Sequence, residues 1–386
     1  MKSEWQQYAV GDICTIKHGF AFKGIHFCEE QTKYIVTTPG NFALGGGFKL
    51  DKPKYYNGPI PEDFILSPGD IIVTMTDLSK EGDTLGYSAL VPSKEDGIFL
   101  HNQRIGLIEN ISPEIDKTFL YWMMRTHSYQ RYVANHSSGS TVRHSSPTNI
   151  GRYKFYAPSI NNQRKIASIL SAYDDLIENN NKRIKILEKM AENLYKEWFV
   201  RFRFPSHEQV EIENGIPKGW SISKLREIVQ IRYGKDHKCI EDGEIPVFGS
   251  GGIMRYGNRA LYSGETVMIP RKGSLNNVMY YKGDLWTVDT MFYTEFKRAH
   301  CAAYLYYVLA QYDLESLNTG ASIPSLSTDI LYHLRIIMPS QDLLARFEES
   351  LVAFNREKDN LLKKNELLTK QRDMLLPRLM NGKLKV

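Results

Sequence analysis

The stretch from Asn161 to Phe199 reads NNQRKIASILSAYDDLIENNNKRIKILEKMAENLYKEWF and contains neither glycine nor proline. Apolar residues recur along it in alternating steps of four and three, which is the spacing of a coiled-coil seam. The stretch therefore predicts one helix about 58 Å long, whose apolar face needs a partner. The seam consists of Ile166, Leu170, Tyr173, Ile177, Asn180, Ile184, Leu187, Ala191, Leu194 and Trp198, with Asn180 as its one polar layer.

A second stretch without glycine or proline, residues 341–376, offers that partner. Because a globular segment separates the two stretches, we predict that the helices pair antiparallel. The alternative, that each stripe packs only on its own domain, stays open at this stage. The apolar positions of the second stretch largely repeat every seven residues, at Phe347, Leu351, Phe354, Leu361, Leu368 and Leu375.

The segments that precede the two helices resemble each other, which indicates an internal repeat. Trp5 and Gly19 match Trp220 and Gly234, and Pro158 matches Pro339. Between these points, Pro68–Val73 resembles Ser263–Met268, and Ser138–Val142 resembles Thr319–Ile323. The offset falls from 215 to 181 residues along the chain, so the first copy carries about 34 extra loop residues.

Each copy begins with residues rich in glycine, proline, tyrosine and short β-branched runs, which are typical of strands and loops. The sequence therefore predicts an α+β protein with a pseudo-two-fold internal repeat: two domains of mixed strand and helix content, joined by two long antiparallel coiled-coil helices. The predicted layout is a first domain over 1–158, a central spacer helix over 159–203, a second domain over 204–339, and a spacer helix with a tail over 340–386.

Composition excludes several classes of protein. Apolar residues make up 42% and charged residues 24% of the 386 residues, which fits neither a disordered nor a fibrous chain. No apolar run approaches the roughly 18 residues of a membrane span, and the N-terminus carries no secretory signal. The four cysteines lack CxxC spacing, which favours a reduced, cytoplasmic protein.

Positive charge is concentrated locally, although the net charge is only +5. No acidic residue lies between Asp116 and Asp174. Residues 251–282 contain only one acidic residue, Glu265. Such patches on a nearly neutral protein are typical of nucleic-acid binders. A solvated basic surface, neutralised by other segments in the fold, remains the alternative.

Motifs for catalysis are missing from the sequence. It has no GxxxxGK[ST] phosphate loop and no GxGxxG dinucleotide motif, and its short glycine runs fit loop tips better than phosphate cradles. His26 and Cys28 lack further ligands for a metal. We therefore expect no catalytic residue, no metal and no cofactor on this chain.

Three local motifs accompany this layout: Gly139–Val142, Tyr156–Ser159 leading into Asn162–Ala167, and Pro377–Leu384. With these motifs, the whole layout resembles the specificity subunit of type I restriction-modification systems. The start of the second helix, Pro339–Leu343, departs from the pattern because it lacks the Gln-Arg-Lys of the first. The resemblance implies a non-catalytic reader of double-stranded DNA that binds two methyltransferase subunits and, in some complexes, two restriction subunits.

In such a complex, S-adenosylmethionine, ATP and magnesium would be bound by the partner subunits. Two unlike recognition domains held apart by a stiff helical spacer predict an asymmetric, bipartite DNA target. Two alternatives stay open: a freestanding two-headed DNA-binding protein without methyltransferase partners, and a nuclease in its own right.

Candidate DNA-binding residues are polar side chains in the loops that follow the repeated strands. Arginine suits guanine, lysine and hydroxyl groups suit phosphates, and threonine and aspartate suit adenine or cytosine edges. In the first domain these are Lys17, His18, Lys23, Thr76, Asp77, Lys80, Ser140, Thr141, Arg143 and His144. In the second they are Arg232, Lys235, Lys238, Arg255, Arg271, Lys272, Ser274 and Ser322.

Overall fold

The structure is a computed structural model that describes residues 5–77, 82–93, 95, 97–139, 142–318 and 324–386. These residues form two compact units. The first contains the residues up to Asn180 and those from Lys363 onward, and the second contains Asn181–Leu362. Below, the part of the first unit that precedes the long helix is called the first domain, and the part of the second unit between the two long helices is called the second domain.

The first domain is a mixed α+β structure. Its strands are β1 (Gln6–Ala9), β2 (Thr15–His18), β3 (Phe27–Cys28), β4 (Tyr34–Val36), β5 (Tyr55–Tyr56), β6 (Ile71–Thr74), β7 (Thr76–Asp77), β8 (Ser88–Leu90), β9 (Ile98–Leu100), β10 (Ile105–Glu109), β11 (Arg143–His144) and β12 (Lys154–Ala157). Its helices are α1 (Val10–Ile13), α2 (Lys117–Met123), α3 (His127–Asn135) and α4 (Pro147–Gly151). Two four-stranded sheets, in the orders β2-β10-β6-β8 and β3-β5-β4-β9, form its centre.

The long helices are α5 (Ile160–Tyr195), which ends in a π-helical turn at Lys196–Val200, and α9 (Gln341–Met380). Between them the second domain has β13 (Ile212–Glu213), β14 (Ile216–Pro217), β15 (Ser221–Lys224), β16 (Val229–Tyr233), β17 (Asp242–Gly249), β18 (Gly252–Gly257), β19 (Tyr262–Pro270), β20 (Met279–Thr287), β21 (Met291–Phe296) and β22 (Arg335–Met338). Its helices are α6 (Leu225–Ile228), α7 (Ala302–Leu309) and α8 (Thr328–Tyr332). Its main sheet has the order β16-β21-β19-β20-β17-β18.

The two domains share one backbone plan, which confirms the predicted repeat. In each, an early strand pairs antiparallel with the strand that precedes the long helix, β1 with β12 and, after the β13–β14 hairpin, β15 with β22. A one-turn helix follows, and then β2 or β16, which pairs with β10 or β21. Serine caps the short helix before the last strand in both copies, because Ser146 and Ser327 each accept a backbone N–H of the first turn.

One detail of the predicted repeat is wrong. The sequence comparison matched Gly69 with Gly264 as a turn that leads into a strand. Gly69 does lie in a turn, with φ at +79°, directly before β6. Gly264 instead lies inside β19, opposite Gly283 of β20. The two glycines therefore have different structural roles.

Strand pairing gives the correct alignment of this region. Thr74 at the end of β6 lies opposite Ile105, the first residue of β10. Pro270 at the end of β19 lies opposite Met291, the first residue of β21. β6 is therefore equivalent to the last four residues of β19, one residue further along than the glycine match implied.

The two long helices pack against each other antiparallel, as predicted. In the first unit, Asn180 Nδ2 donates to Asn365 Oδ1 at 2.8 Å. In the second unit, Arg183 lies 2.7 Å from Glu357, and the rings of Trp198 and Phe347 lie 5.8 Å apart. No residue of the predicted seam is exposed.

The ends of the helices also pack on the domains. Ile166 and Leu170 belong to the core of the first domain, and Phe347 and Leu351 belong to that of the second. The apolar stripe is therefore divided between helix pairing and domain packing. No helix among the described residues is both long and apolar enough to cross a lipid bilayer. The predicted domain boundaries stay predictions.

Candidate nucleic-acid interface

The turn between β9 and β10, residues 102–104, lies at an edge of the first domain where three loops meet. The loop after β2 is bound there, because Phe20 N donates to His101 O at 2.8 Å and Gln103 N donates to Phe20 O at 3.0 Å. The segment after β6 is bound by Met75 N, which donates to Arg104 O at 3.0 Å.

The third loop lies before α4. Ser145 N donates to Met75 O at 2.9 Å, which places this loop beside β7. The pairing of β7 with β11 brings His144 opposite Thr76, with 3.1 Å between His144 Nδ1 and Thr76 Oγ1. Loops that are far apart in sequence therefore meet at one edge.

The second domain repeats three of these four backbone hydrogen bonds. Lys235 N donates to Thr287 O at 2.9 Å, Arg271 N donates to Thr290 O at 2.8 Å, and Leu326 N donates to Arg271 O at 2.9 Å. The turn at residues 288–290 thus occupies the place of residues 102–104, and Arg271 occupies the place of Met75.

A glycine allows the first of these contacts in each domain. A Cβ atom on Gly19 would lie 2.2 Å from Asn102 O, and one on Gly234 would lie 2.0 Å from Val288 O. Neither distance is compatible with a side chain, since backbone atoms cannot yield as a flexible side chain can. The predicted match of Gly19 with Gly234 therefore marks a close backbone approach.

Several predicted residues of the first domain lie on this edge and reach solvent. His18, Lys23 and His144 are exposed. Lys17 is half-buried, because its Nζ donates to Asp63 O at 3.0 Å and lies over the Phe64 ring. Arg143 is half-buried beside the end of α3.

Thr76 and Asp77 require a correction. They were expected to present polar groups to DNA, but only 3% and 5% of their surfaces are exposed. The Asp77 carboxylate accepts hydrogen bonds from the backbone N–H of Thr84 at 2.6 Å and from its hydroxyl at 2.7 Å. The two residues therefore hold their loop in place. Lys80, Ser140, Thr141 and Ser322 lie outside the described residues.

Of the predicted residues of the second domain, Lys238 lines a cavity of about 600 Å³, whose lining also includes Ser250 and Asp289. Lys235, which precedes the lining residues 236–238, is exposed. Arg271 is half-buried: its guanidinium lies 5.4 Å from the centre of the Tyr233 ring, and its Nη1 donates to Asp289 O at 3.2 Å.

The remaining predicted residues differ in whether their side chains are free in solvent or contact other residues of the domain. Lys272 and Ser274 are exposed in the loop after β19. Arg232 is exposed and lies 3.1 Å from Glu295. Arg255 donates to the carbonyls of His237 and Ile240, so its guanidinium supports the loop that carries Lys238.

The start of α5 binds its own domain. Gln163 is 1% exposed; its Oε1 accepts from Asp116 N at 2.9 Å, and its Nε2 donates to Glu114 O at 3.0 Å. At the start of α9 the equivalent residue is Leu344, which is buried in the core of the second domain. The start of α5 is therefore fixed to its domain by the hydrogen bonds of Gln163, whereas the start of α9 is fixed by apolar packing of Leu344.

Comparison with known families decides what kind of chain this is. Residues 2–189 and 217–364 match the family described as "Type I restriction modification DNA specificity domain". The chain belongs to this family. Its role is therefore DNA sequence recognition within a type I system, and catalysis is not its part of that system.

Curated relatives agree with this family. The chain is 28% identical to the type I restriction enzyme MjaIX specificity subunit of Methanocaldococcus jannaschii over 72% of both chains. It is 23% identical to the MjaVIII specificity subunit of the same organism, over 99% of this chain and 93% of that one. Among solved structures, the S subunit of a type I restriction-modification system from M. genitalium has the same fold, with a TM-score of 0.55 at 19% identity over 97% of this chain and 96% of that one.

Sequence reasoning missed the two turns of this specificity chain, residues 102–104 and 288–290. The repeat comparison passed over them because the strands that follow, β10 and β21, share apolar character but almost no identities. The signal was nevertheless present, since their offset of 186 residues lies within the falling series from 215 to 181.

A buried histidine, His101, bridges the turn of the first domain. His101 is fully buried, and its Nε2 lies 2.9 Å from Ile105 O. Burial lowers the pKa of His101 to about 4, so the ring is neutral at physiological pH and Nε2 donates. Among the described residues, no three His, Cys, Asp or Glu side chains are grouped so as to hold a metal ion.

Proposed function

We propose that this chain reads an asymmetric DNA target in two parts, with one domain for each half, and carries methyltransferase subunits to that target. The observation that supports this proposal is the shared backbone frame, which holds different side chains in the two domains. His18 of the first domain corresponds to Tyr233 of the second, and Met75 corresponds to Arg271. Equal frames with unlike surfaces are suited to two unlike DNA sequences.

Positive charge at the two edges favours a polyanion. Lys17 and His18 lie at the end of β2 and Lys23 follows it, while Arg232 lies near the end of β16 and Lys235 and Lys238 follow that strand. Lysine and arginine contacts to phosphates supply most of the sequence-independent affinity for DNA. In this proposal these residues orient the duplex, and base recognition comes from the groups between them.

Partner subunits would bind the long helices away from the seam. α5 carries Ile169 and Leu176 with 39% and 49% exposure, and α9 carries Leu367 and Met374 with 59% and 60%. Each pair is spaced by seven residues, so each helix presents an apolar row outside the seam. Arg164 and Lys165 border a groove of about 640 Å³ with Ile169 and Leu379.

In this proposal the chemistry belongs to the partners. S-adenosylmethionine would be held by the methyltransferase subunits, while ATP and magnesium would be held by restriction subunits where these are present. The specificity chain would supply the target and the spacing between its two parts. None of these three groups would need a site on this chain.

The experiment is to co-express the chain with a methyltransferase partner and map the methylated bases on a plasmid. We expect one motif with two specific parts of different sequence, separated by a fixed number of unread base pairs. A single contiguous motif would contradict the assignment of one half-site to each domain. Stable DNA binding without any association with the methyltransferase would favour the freestanding reader.

A further inference from the structure

We infer that the turns at Gln103–Arg104 and Asp289–Thr290 determine which bases each domain accepts. This inference rests on the proposed function and goes beyond it, because it assigns base discrimination to four named positions. None of the four belongs to the basic loops that follow β2 and β16.

The first argument is position. Each turn is the element to which the neighbouring loops are bound, through Phe20 O and Met75 N in the first domain and through Arg271 N in the second. A duplex that contacts the basic loops on either side therefore has the turn between them. The turn is also held by short backbone hydrogen bonds, which fix its side chains better than a free loop would.

The second argument is exposure. Gln103, Arg104 and Asp289 are exposed, whereas the residues that precede them, His101 and Thr287, are fully buried. The chain therefore changes from core to surface within two residues at the same point of both domains. Side chains placed in this way project from a rigid base.

The third argument is that the two turns share one backbone arrangement but carry chemically different side chains. Gln103 corresponds to Asp289, and Arg104 corresponds to Thr290. Glutamine reads adenine and arginine reads guanine through paired hydrogen bonds, whereas aspartate accepts a hydrogen bond from the amino group of cytosine. The two turns thus offer different hydrogen-bonding patterns at the same place.

Asp289 gives the sharpest indication. Asp289 lines a cavity together with Lys238 and Asp236. The loops bound to its turn through Thr287 O and Thr290 O carry the exposed Lys235 and Lys272. A carboxylate among these cations would be repelled by a phosphate, so a backbone contact does not explain it. A cytosine amino group, which donates, is the nucleic-acid feature that a carboxylate can bind.

The experiment is a binding selection from a library of random DNA duplexes, using the full chain in complex with its methyltransferase partner. Asp289→Asn should move the preferred base at one position of one half-site from cytosine toward adenine. The discrimination against other bases should change there by roughly 5- to 150-fold. Arg104→Gln should change a guanine preference in the other half-site in the same way.

Matched controls are Asp284→Asn on β20 and Lys154→Gln on β12, which remove the same charges at exposed positions outside the turns. They should leave both half-sites unchanged. Unchanged half-sites in the turn variants, or an equal loss of affinity for all sequences, would overturn the inference. A wild-type complex that selects no sequence would overturn the proposed function itself. Co-purification with the methyltransferase shows that each variant is folded.

Discussion

Asp174 of α5 accepts a hydrogen bond from Arg125 of the first domain, with 2.6 Å between the carboxylate Oδ2 and the guanidinium Nη1. Arg372 of α9 donates to the other oxygen of the same carboxylate. The Arg125 side chain is 2% exposed and also donates to Gly45 O and to the Tyr121 hydroxyl. One carboxylate therefore joins the first domain to both long helices.

Asp174→Asn should destabilise the first unit by about 3 kcal/mol, the low end for a broken buried ion pair. The low end applies because the Asp174 side chain is 31% exposed. The measurement is chemical denaturation followed by tryptophan fluorescence. Asp175→Asn is the matched control, since the neighbouring Asp175 is exposed. Equal losses of stability from the two substitutions would show that the contacts of Arg125 and Arg372 with Asp174 do not stabilise the first unit.

The Asn180–Asn365 contact should behave as a coupled pair. Asn180 is 4% exposed, so Asn180→Leu alone should cost about 1–2 kcal/mol by removing the partner amide of Asn365. The double variant Asn180→Leu/Asn365→Leu should recover most of that cost, because both polar groups leave the seam together. A double-mutant cycle in urea measures this coupling. Additive effects would contradict it.

His101 should make the stability of the first domain depend on pH. Its folded pKa of about 4 lies below the unfolded value of 6.5, so the unfolded chain binds more protons between these values. Stability is therefore full above pH 6.5 and should fall by about 3 kcal/mol as the pH drops toward 4. His101→Gln should flatten this slope, as measured by urea denaturation at several pH values. His127→Gln, at an exposed position, should leave the pH dependence of stability unchanged.

The loop after β16 should contribute salt-dependent affinity. The double variant Lys235→Ala/Lys238→Ala should weaken binding to every DNA sequence alike and reduce the slope of log K against log salt by about two. Fluorescence anisotropy across a salt series measures the slope. Lys218→Ala is the control, because the Lys218 ammonium lies 3.1 Å from Glu211 and 2.9 Å from Glu213. A similar slope change in this control would assign the effect to net charge alone.

The apolar row on α5 should bind a partner. Ile169→Glu/Leu176→Glu should reduce co-purification with the methyltransferase at least tenfold while leaving the helix seam intact, since both residues are exposed. Leu44→Glu introduces one such charge at an apolar residue of the first domain that is 74% exposed, and it should have no effect. Retained binding in the α5 variant would place the partner elsewhere.

The parts of the fold that follow a simple period were predictable from sequence. The seam from Ile166 to Trp198 was found because burial on one face of a helix imposes a heptad. The match of Gly19 with Gly234 was found because a close backbone approach admits no other residue. The match of Gly69 with Gly264 was wrong because a turn and a position inside a strand can both select glycine.

The candidate site was harder to predict because burial depends on contacts distant in sequence. Thr76 and Asp77 follow a strand and are polar, so they resembled surface residues, but Thr84 and His144 enclose them. The anchoring role of Gln163 was equally hidden, since its partners lie almost 50 residues earlier. In both cases a polar residue binds the protein's own backbone or side chains.

The contact of Gly19 with Asn102 and that of Gly234 with Val288 involve only main-chain atoms of the two turns. Natural selection can therefore exchange the exposed side chains of the turns, Gln103, Arg104 and Asp289, without disturbing the junction. If these turns read the bases as proposed, a new DNA target would require a few point substitutions and no redesign of the scaffold, so the target could change rapidly in evolution.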